Sequence, residues 1–204
     1  MTTAIGVQPR RDRQREETRR ELALAAFDLA RDRGLANVRV PDIAAAVGVS
    51  TRTFNNYFAS KEEAIAWPAA QRAAALATGL TQRPPDEALG EALVATITGR
   101  YGPAEADGLP PHWLRDFRAL VAREPSLHGE YLKASDAAER ALAAAIALRQ
   151  KADAADMSAR VLAAMVIGAE RAAVMFWMAN REGLLIDAVR SAVKQATAGV
   201  GESS

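Results

Sequence analysis

The sequence predicts an all-α protein, built as a small N-terminal helical unit to about residue 65 and a larger helical bundle behind it. Three observations carry that reading. Apolar residues recur at three- and four-residue spacing along most of the chain. Alanine is abundant and aromatics are only 5% of residues, a balance that favours helix over sheet. No run alternates apolar and polar residues as a half-buried strand does, and no repeat or low-complexity tract interrupts the pattern.

The elements follow in order. Residues 1–12 carry Gly6, Pro9 and an arginine cluster and are expected to form a flexible arginine-rich arm. A helix starts near Arg13, with Leu22, Ala25, Ala26, Leu29 and Ala30 on one face. Gly34 ends it, and Arg31 and Arg33 sit in its last turn, where cations complement the helix dipole. Pro41 opens a short helix at a position where its missing N–H is harmless. Ile43, Ala44 and Val47 give that helix a buried stripe, and Gly48 breaks it. Ser50 caps a second short helix, Thr51–Tyr57. Ser60 caps the next one, with Glu63 completing a capping box. Pro68 bends or restarts this helix, which runs to Leu80. Another helix reaches Tyr101 after Pro84 and Pro85, and a turn-rich loop spans Gly102 to Pro111. Helices are then expected at 111–123, 125–150, 156–181 and 183–198, the last two separated by Gly183. The domains so drawn are 13–65 and 66–204.

Composition narrows the function. The absence of cysteine removes disulfides, thiolate metal sites and cysteine nucleophiles, and fits a cytoplasmic protein. The two histidines, His112 and His128, are isolated and not at metal-ligand spacing. No glycine-rich phosphate loop follows a strand, and the pair Glu62 and Glu63 reads as helix-start charge. No catalytic group, metal or cofactor is therefore expected. The net charge of +1 carries no information about nucleic acid, so only local charge can. Arginines follow Val7 where a signal peptide needs an apolar core. The most apolar stretch, Val161–Ala179, has Glu170 and Arg171 at its centre, costly in lipid, and reads as a buried helix.

The run from Pro41 to Phe58 stands apart. Two helices too short to be stable alone flank a tight turn at Gly48, with Val49 placed to plug the angle between them. Such a pair presents its second helix to the DNA major groove. By periodicity that helix exposes Thr51, Arg52, Asn55 and Asn56. Arginine pairs bidentately with guanine, asparagine with adenine, and a threonine methyl meets a thymine methyl. Thr53, Tyr57 and Lys61 suit phosphates, offering hydroxyls or a charge at the helix edges. Arg10, Arg11, Arg13 and Arg15 supply further charge for phosphates or the minor groove, diluted by Asp12, Glu16 and Glu17. The competing reading is an ordinary helical corner with a plain polar surface.

Residues Ala25–Ala30 with Gly34, Asp42-Ile43-Ala44, Gly48-Val49-Ser50, Thr53-Phe54, Tyr57-Phe58 and Ser60-Lys61-Glu62 together resemble the DNA-binding domain of the TetR family of bacterial transcriptional regulators. The likeness covers roughly residues 15–65. It departs at Arg39 and Val40, where members usually cap the first motif helix with threonine, and Arg39 is free to touch phosphate instead. It departs again at Asn55, where many members carry tyrosine.

The resemblance implies a homodimeric repressor on a palindromic operator, released by a small apolar or amphipathic effector held in the larger bundle. The alternative is a ligand-free DNA-binding or architectural protein with a solidly packed bundle. Expected pocket residues are Trp67, Tyr101, Trp113, Phe117, Met165 and Phe176. His112, Arg115, His128 and Tyr131 join them as polar groups able to orient a ligand, although each of these side chains taken singly also suits a core or surface position. Dimerisation is expected through helices 156–181 and 183–198. Val161, Met165, Gly168 and Ala172 lie near one face of the first, and the second is too apolar to stand free.

Overall fold

The computed structural model describes residues 8–101, 109–110, 112–153, 156–180 and 182–198, and these contain helices and no strand. The helices are α1 (Gln8–Arg33), α2 (Val40–Val47), α3 (Thr51–Asn55), α4 (Lys61–Thr81) and α5 (Leu89–Gly99), then α6 (Trp113–Arg123), α7 (Pro125–Gln150), α8 (Met157–Asn180) and α9 (Leu185–Ala196). A single 3₁₀ turn, Leu35–Asn37, links α1 to α2.

Three boundaries differ from expectation. α1 begins at Gln8 rather than near Arg13, so the end of the expected arm is helical, and Arg11, Arg13 and Arg15 project from it as exposed side chains. The first seven residues of that arm, like most of the loop from Gly102 to Pro111, lie outside the described residues. α3 ends at Asn55 instead of Tyr57, because the chain tightens into i→i+3 bonds, with Tyr57 N–H donating to Phe54 C=O at 2.9 Å. α4 continues through Pro68 without a break, although proline lacks the N–H that would reach back to Ala64.

The helix ends follow local chemistry. Gly48 has φ 75°, a left-handed geometry glycine adopts without penalty. There Val49 N–H donates to Ala44 C=O (2.9 Å) and Gly48 N–H to Ala45 C=O (3.1 Å), closing a Schellman turn. Ser60 Oγ accepts from Glu63 N–H (3.0 Å), and Glu63 reaches back to Ala59 N–H (2.7 Å), one residue earlier than an ideal capping box. Asp156 caps α8 through Ser158, whose hydroxyl and N–H hold its carboxyl below the usual carboxylate range.

The chain forms two compact units that interleave along the sequence. One comprises Met1–Ala69 with Asp116–Tyr131, the other Ala70–Arg115 with Leu132–Ser204. In the first, α2 packs on α1 and α3 on α2, around fully buried Leu22, Phe27, Ile43, Phe54 and Phe58. In the second, α9 packs on α8 and on α5. Leu93, Ile97, Leu142, Ile146, Val166, Val174, Val189 and Val193 make its core. α8 is long and apolar enough to cross a membrane, with a mean hydropathy of 1.6. Yet Leu162, Val166, Ile167 and Val174 are packed within the unit, and the central Glu170 is buried there too.

Candidate nucleic-acid interface

The expected recognition helix is short, so its order comes from its ends and its floor. Ser50, with extended backbone, accepts from Thr53 N–H at 3.1 Å and caps the helix. Phe54 is the floor: it is fully buried, 5.7 Å from the Phe58 ring. One turn of α3 therefore stands on two phenylalanines, with Thr51, Arg52 and Asn55 exposed on its other side.

The other expected contacts divide. Asn56 is exposed and lines an open cleft of about 350 Å³ together with Asp12, Arg15, Glu16, Arg19 and Tyr57. Tyr57 is half-buried under Arg15, whose guanidinium lies 5.9 Å from the ring centre. Thr53 is half-buried, and its hydroxyl lies 2.8 Å from Ser50 Oγ, beside the cap. Arg39 sits just before α2, where the Asp42 carboxylate accepts from the Arg39 backbone N–H at 2.9 Å. That bond is the acidic half of a capping box, and the Arg39 side chain stays exposed.

Lys61 has partners inside the protein. Its ammonium donates to Leu35 C=O (2.6 Å) and Val38 C=O (2.8 Å) in a half-buried position. Expected at a phosphate, it ties the start of α4 to the segment that leads into α2. Sequence spacing missed this because the partners are backbone carbonyls 26 and 23 residues away. Lys61→Met should lower stability by about 2 kcal/mol, the worth of hydrogen bonds from a charged group. It should leave the slope of log K against log salt unchanged, measured by DNA-binding titration at several ionic strengths. A slope reduced by about 0.9 per lost phosphate contact would restore the clamp.

The residues expected to line an effector pocket divide between the two units. Trp67 stacks edge-on with Phe58 at 6.3 Å and lies beneath Arg19 in the first unit. Phe117, His128 and Tyr131 do gather in that unit, around Arg118, which donates to the Tyr131 hydroxyl. His128 is exposed, and so is His112. Trp113 is buried and Tyr101 bonds Glu170. Met165 (49% exposed) and Phe176 (66%) belong on the outer face of α8, because the helical period gives the inner face to Val166 and Val174.

A cleft of about 340 Å³ lies instead between α4 and α5, lined by Leu76, Gly79, Thr96, Gly99 and Arg100 among others, and by none of the expected residues. The polar network beside it was also missed. Glu170 is buried, accepts from Arg100 Nη1 with both oxygens (3.0 and 3.1 Å), and accepts from the Tyr101 hydroxyl (2.5 Å). A carboxylate in the middle of an apolar helix was the available signal, since buried charge demands a partner.

Comparison with known proteins agrees with this geometry. The model for bacterial regulatory proteins of the tetR family matches residues 22–65, and that for the MftR C-terminal domain matches 83–201. The chain is 35% identical over 147 residues to the HTH-type transcriptional regulator TcmR of Streptomyces glaucescens. The match covers 70% of this chain and 65% of TcmR, so it spans less than two thirds of that relative. A tetR-family transcriptional regulator from Streptomyces coelicolor superposes with a TM-score of 0.56 at 21% identity, covering 90% of this chain and 80% of that one. A transcriptional regulator from Saccharomonospora viridis, solved in complex with choline, gives 0.55 at 22% identity, covering 90% and 97%. The fold is common to the two solved regulators, and the two family matches leave little of the chain unassigned. The chain belongs to the TetR family of bacterial transcriptional regulators.

Proposed function

We propose that the protein is a homodimeric, ligand-responsive repressor that binds a palindromic DNA operator in the cytoplasm. The observation that carries this reading is the exposure of Thr51, Arg52 and Asn55 on a capped helix floored by Phe54. Arg52 and Asn55 read base edges, while Arg39 and the arginines at the start of α1 hold phosphates.

The dimer contact is assigned chiefly to α8. α9 spends its apolar face within its own chain, burying Val189 and Val193 against α5 and α8. α8 keeps Met157, Val161, Met165, Met175 and Phe176 half or more exposed or nearly so, a stripe at helical spacing that a second copy would cover. Two such protomers place their recognition helices about 34–36 Å apart, in successive major grooves.

Release follows if an effector favours a state in which that spacing is lost. Inverting a 99:1 population takes a preference of about 5.5 kcal/mol. A small apolar or amphipathic effector fits the largely apolar bundle, and the choline complex of the Saccharomonospora viridis regulator is a precedent for a small ligand in this fold.

Selection of binding sites from a random DNA pool tests the reading. An inverted repeat with half-sites one helical turn apart is expected. Arg52→Ala and Asn55→Ala should each relax preference at one base pair per half-site, by about 1–3 kcal/mol per contact. Binding without sequence preference, or as a monomer, would overturn it.

A further inference from the structure

The cleft between α4 and α5 has an unusual lining. Ala75, Leu76 and Ala95 give it an apolar floor, while Arg72, Arg83, which is ion-paired with Glu87, and Arg100, which is ion-paired with Glu170, line its walls. The two helices cross closely at one point: a Cβ on Gly79 would lie 3.3 Å from Thr96 Cγ2. Beside that crossing the space opens, since a Cβ on Gly99 would meet nothing within 4 Å.

Two polar atoms there lack partners. Thr96 Oγ1 and Arg100 Nε are buried without a hydrogen bond. Buried orphan groups cost about 1–3 kcal/mol each, so they invite an acceptor. Glu170 takes both its bonds to Arg100 from the Nη1 corner alone. The Nε side of the guanidinium is therefore left over, and it is one side of the fork that a carboxylate grips.

We propose that this cleft binds a small aliphatic carboxylate. The carboxylate is held at the Nε side of Arg100 and by the Thr96 hydroxyl, and the hydrocarbon lies on Ala75, Leu76 and Ala95. A volume of about 340 Å³ is within the range of small-molecule sites. This rests on the effector-responsive reading above and gives that reading a location and a ligand class. It also supplies a route to the rest of the bundle. Arg100 neutralises Glu170 in the middle of α8, so a second anion on the same guanidinium redistributes the restraint on the helix assigned to dimerisation.

Calorimetric titration of the full chain with octanoate, 1-octanol and octyltrimethylammonium tests it, because the three share one body and differ in the head. Octanoate should bind about tenfold or more tighter than octanol, a difference of about 1.4 kcal/mol, and the cation should give no binding. Gly99→Phe, which fills the open part of the cleft, should weaken octanoate about tenfold or more. Its thermal midpoint reports whether it is folded. Thr96→Val should weaken octanoate a few-fold as an independent check. Equal affinity for octanoate and octanol, or a folded Gly99→Phe protein that binds octanoate like the wild type, would overturn the site. The DNA affinity of the wild-type protein, measured with and without octanoate, separates the two readings. Octanoate bound in the cleft without effect on DNA leaves the site standing and removes its role as the effector site.

Discussion

Phe54→Ala is expected to destabilise the DNA-binding unit by about 3–5 kcal/mol and to abolish operator binding. The helix that carries Arg52 and Asn55 is five residues long, far below the length at which a helix persists alone. Its order is borrowed from Phe54, which is fully buried and packs on Phe58. Phe58 in turn contacts Trp67 and lies 5.3 Å below the Arg19 guanidinium, so the cavity left by the substitution would open at the centre of the unit. Denaturant unfolding followed by circular dichroism measures the loss. A cost below about 1 kcal/mol, with DNA binding retained, would mean that α3 holds its shape without this floor. The contrast with Asn55→Ala is the point: one substitution removes the platform, the other changes what the platform reads.

Arg100→Met is expected to cost a comparable amount, about 3–5 kcal/mol, because it strands a buried carboxylate. Glu170 has a side chain only 5% exposed and depends on Arg100 and Tyr101 for its hydrogen bonds. Replacing both members of the pair, Arg100→Met with Glu170→Met, should recover most of the loss, since the desolvated charge goes with its partner. A double-mutant cycle on thermal or denaturant unfolding measures this. No recovery in the double variant would show that Arg100 matters through packing of its stem rather than through Glu170. Under the proposed dimer, Arg100→Met should also weaken self-association, readable by sedimentation velocity. Glu170 lies on the same helix as the exposed Val161, Met165 and Phe176, and the pair steadies that helix from its inner face.

Some of this was legible in the chain from the start. The helical period, the turn at Gly48, the Ser50 cap and the buried Phe54 and Phe58 are all local patterns. Each depends on residues within a few positions of one another, where backbone sterics and capping act directly. The outer stripe of α8 was partly legible for the same reason, since Val161 and Met165 sit one turn apart on one face. The expectation that Met165 also lined a pocket ignored that consequence.

What depended on distant partners was not legible. The assignment of Lys61 to phosphate followed from its charge and its place at a helix start. The two backbone carbonyls folded against it across the 3₁₀ turn were invisible to that reasoning. The aromatics expected at a pocket belong to two units that interleave along the sequence, a division no local pattern announces. The cleft between α4 and α5 is defined by small residues, Gly79 and Gly99, whose signature in sequence is the lack of a side chain.

By itself the sequence determined the all-helical fold, the helix-turn-helix and the exposed face of its second helix, because periodicity, capping and turn chemistry are short-range. Only the tertiary structure decided which charged groups bond inside the protein, as with Lys61 and Glu170, and which stay exposed, as with Arg39 and Arg52. A charge finds its counterpart through space, and the chain must fold before that distance exists.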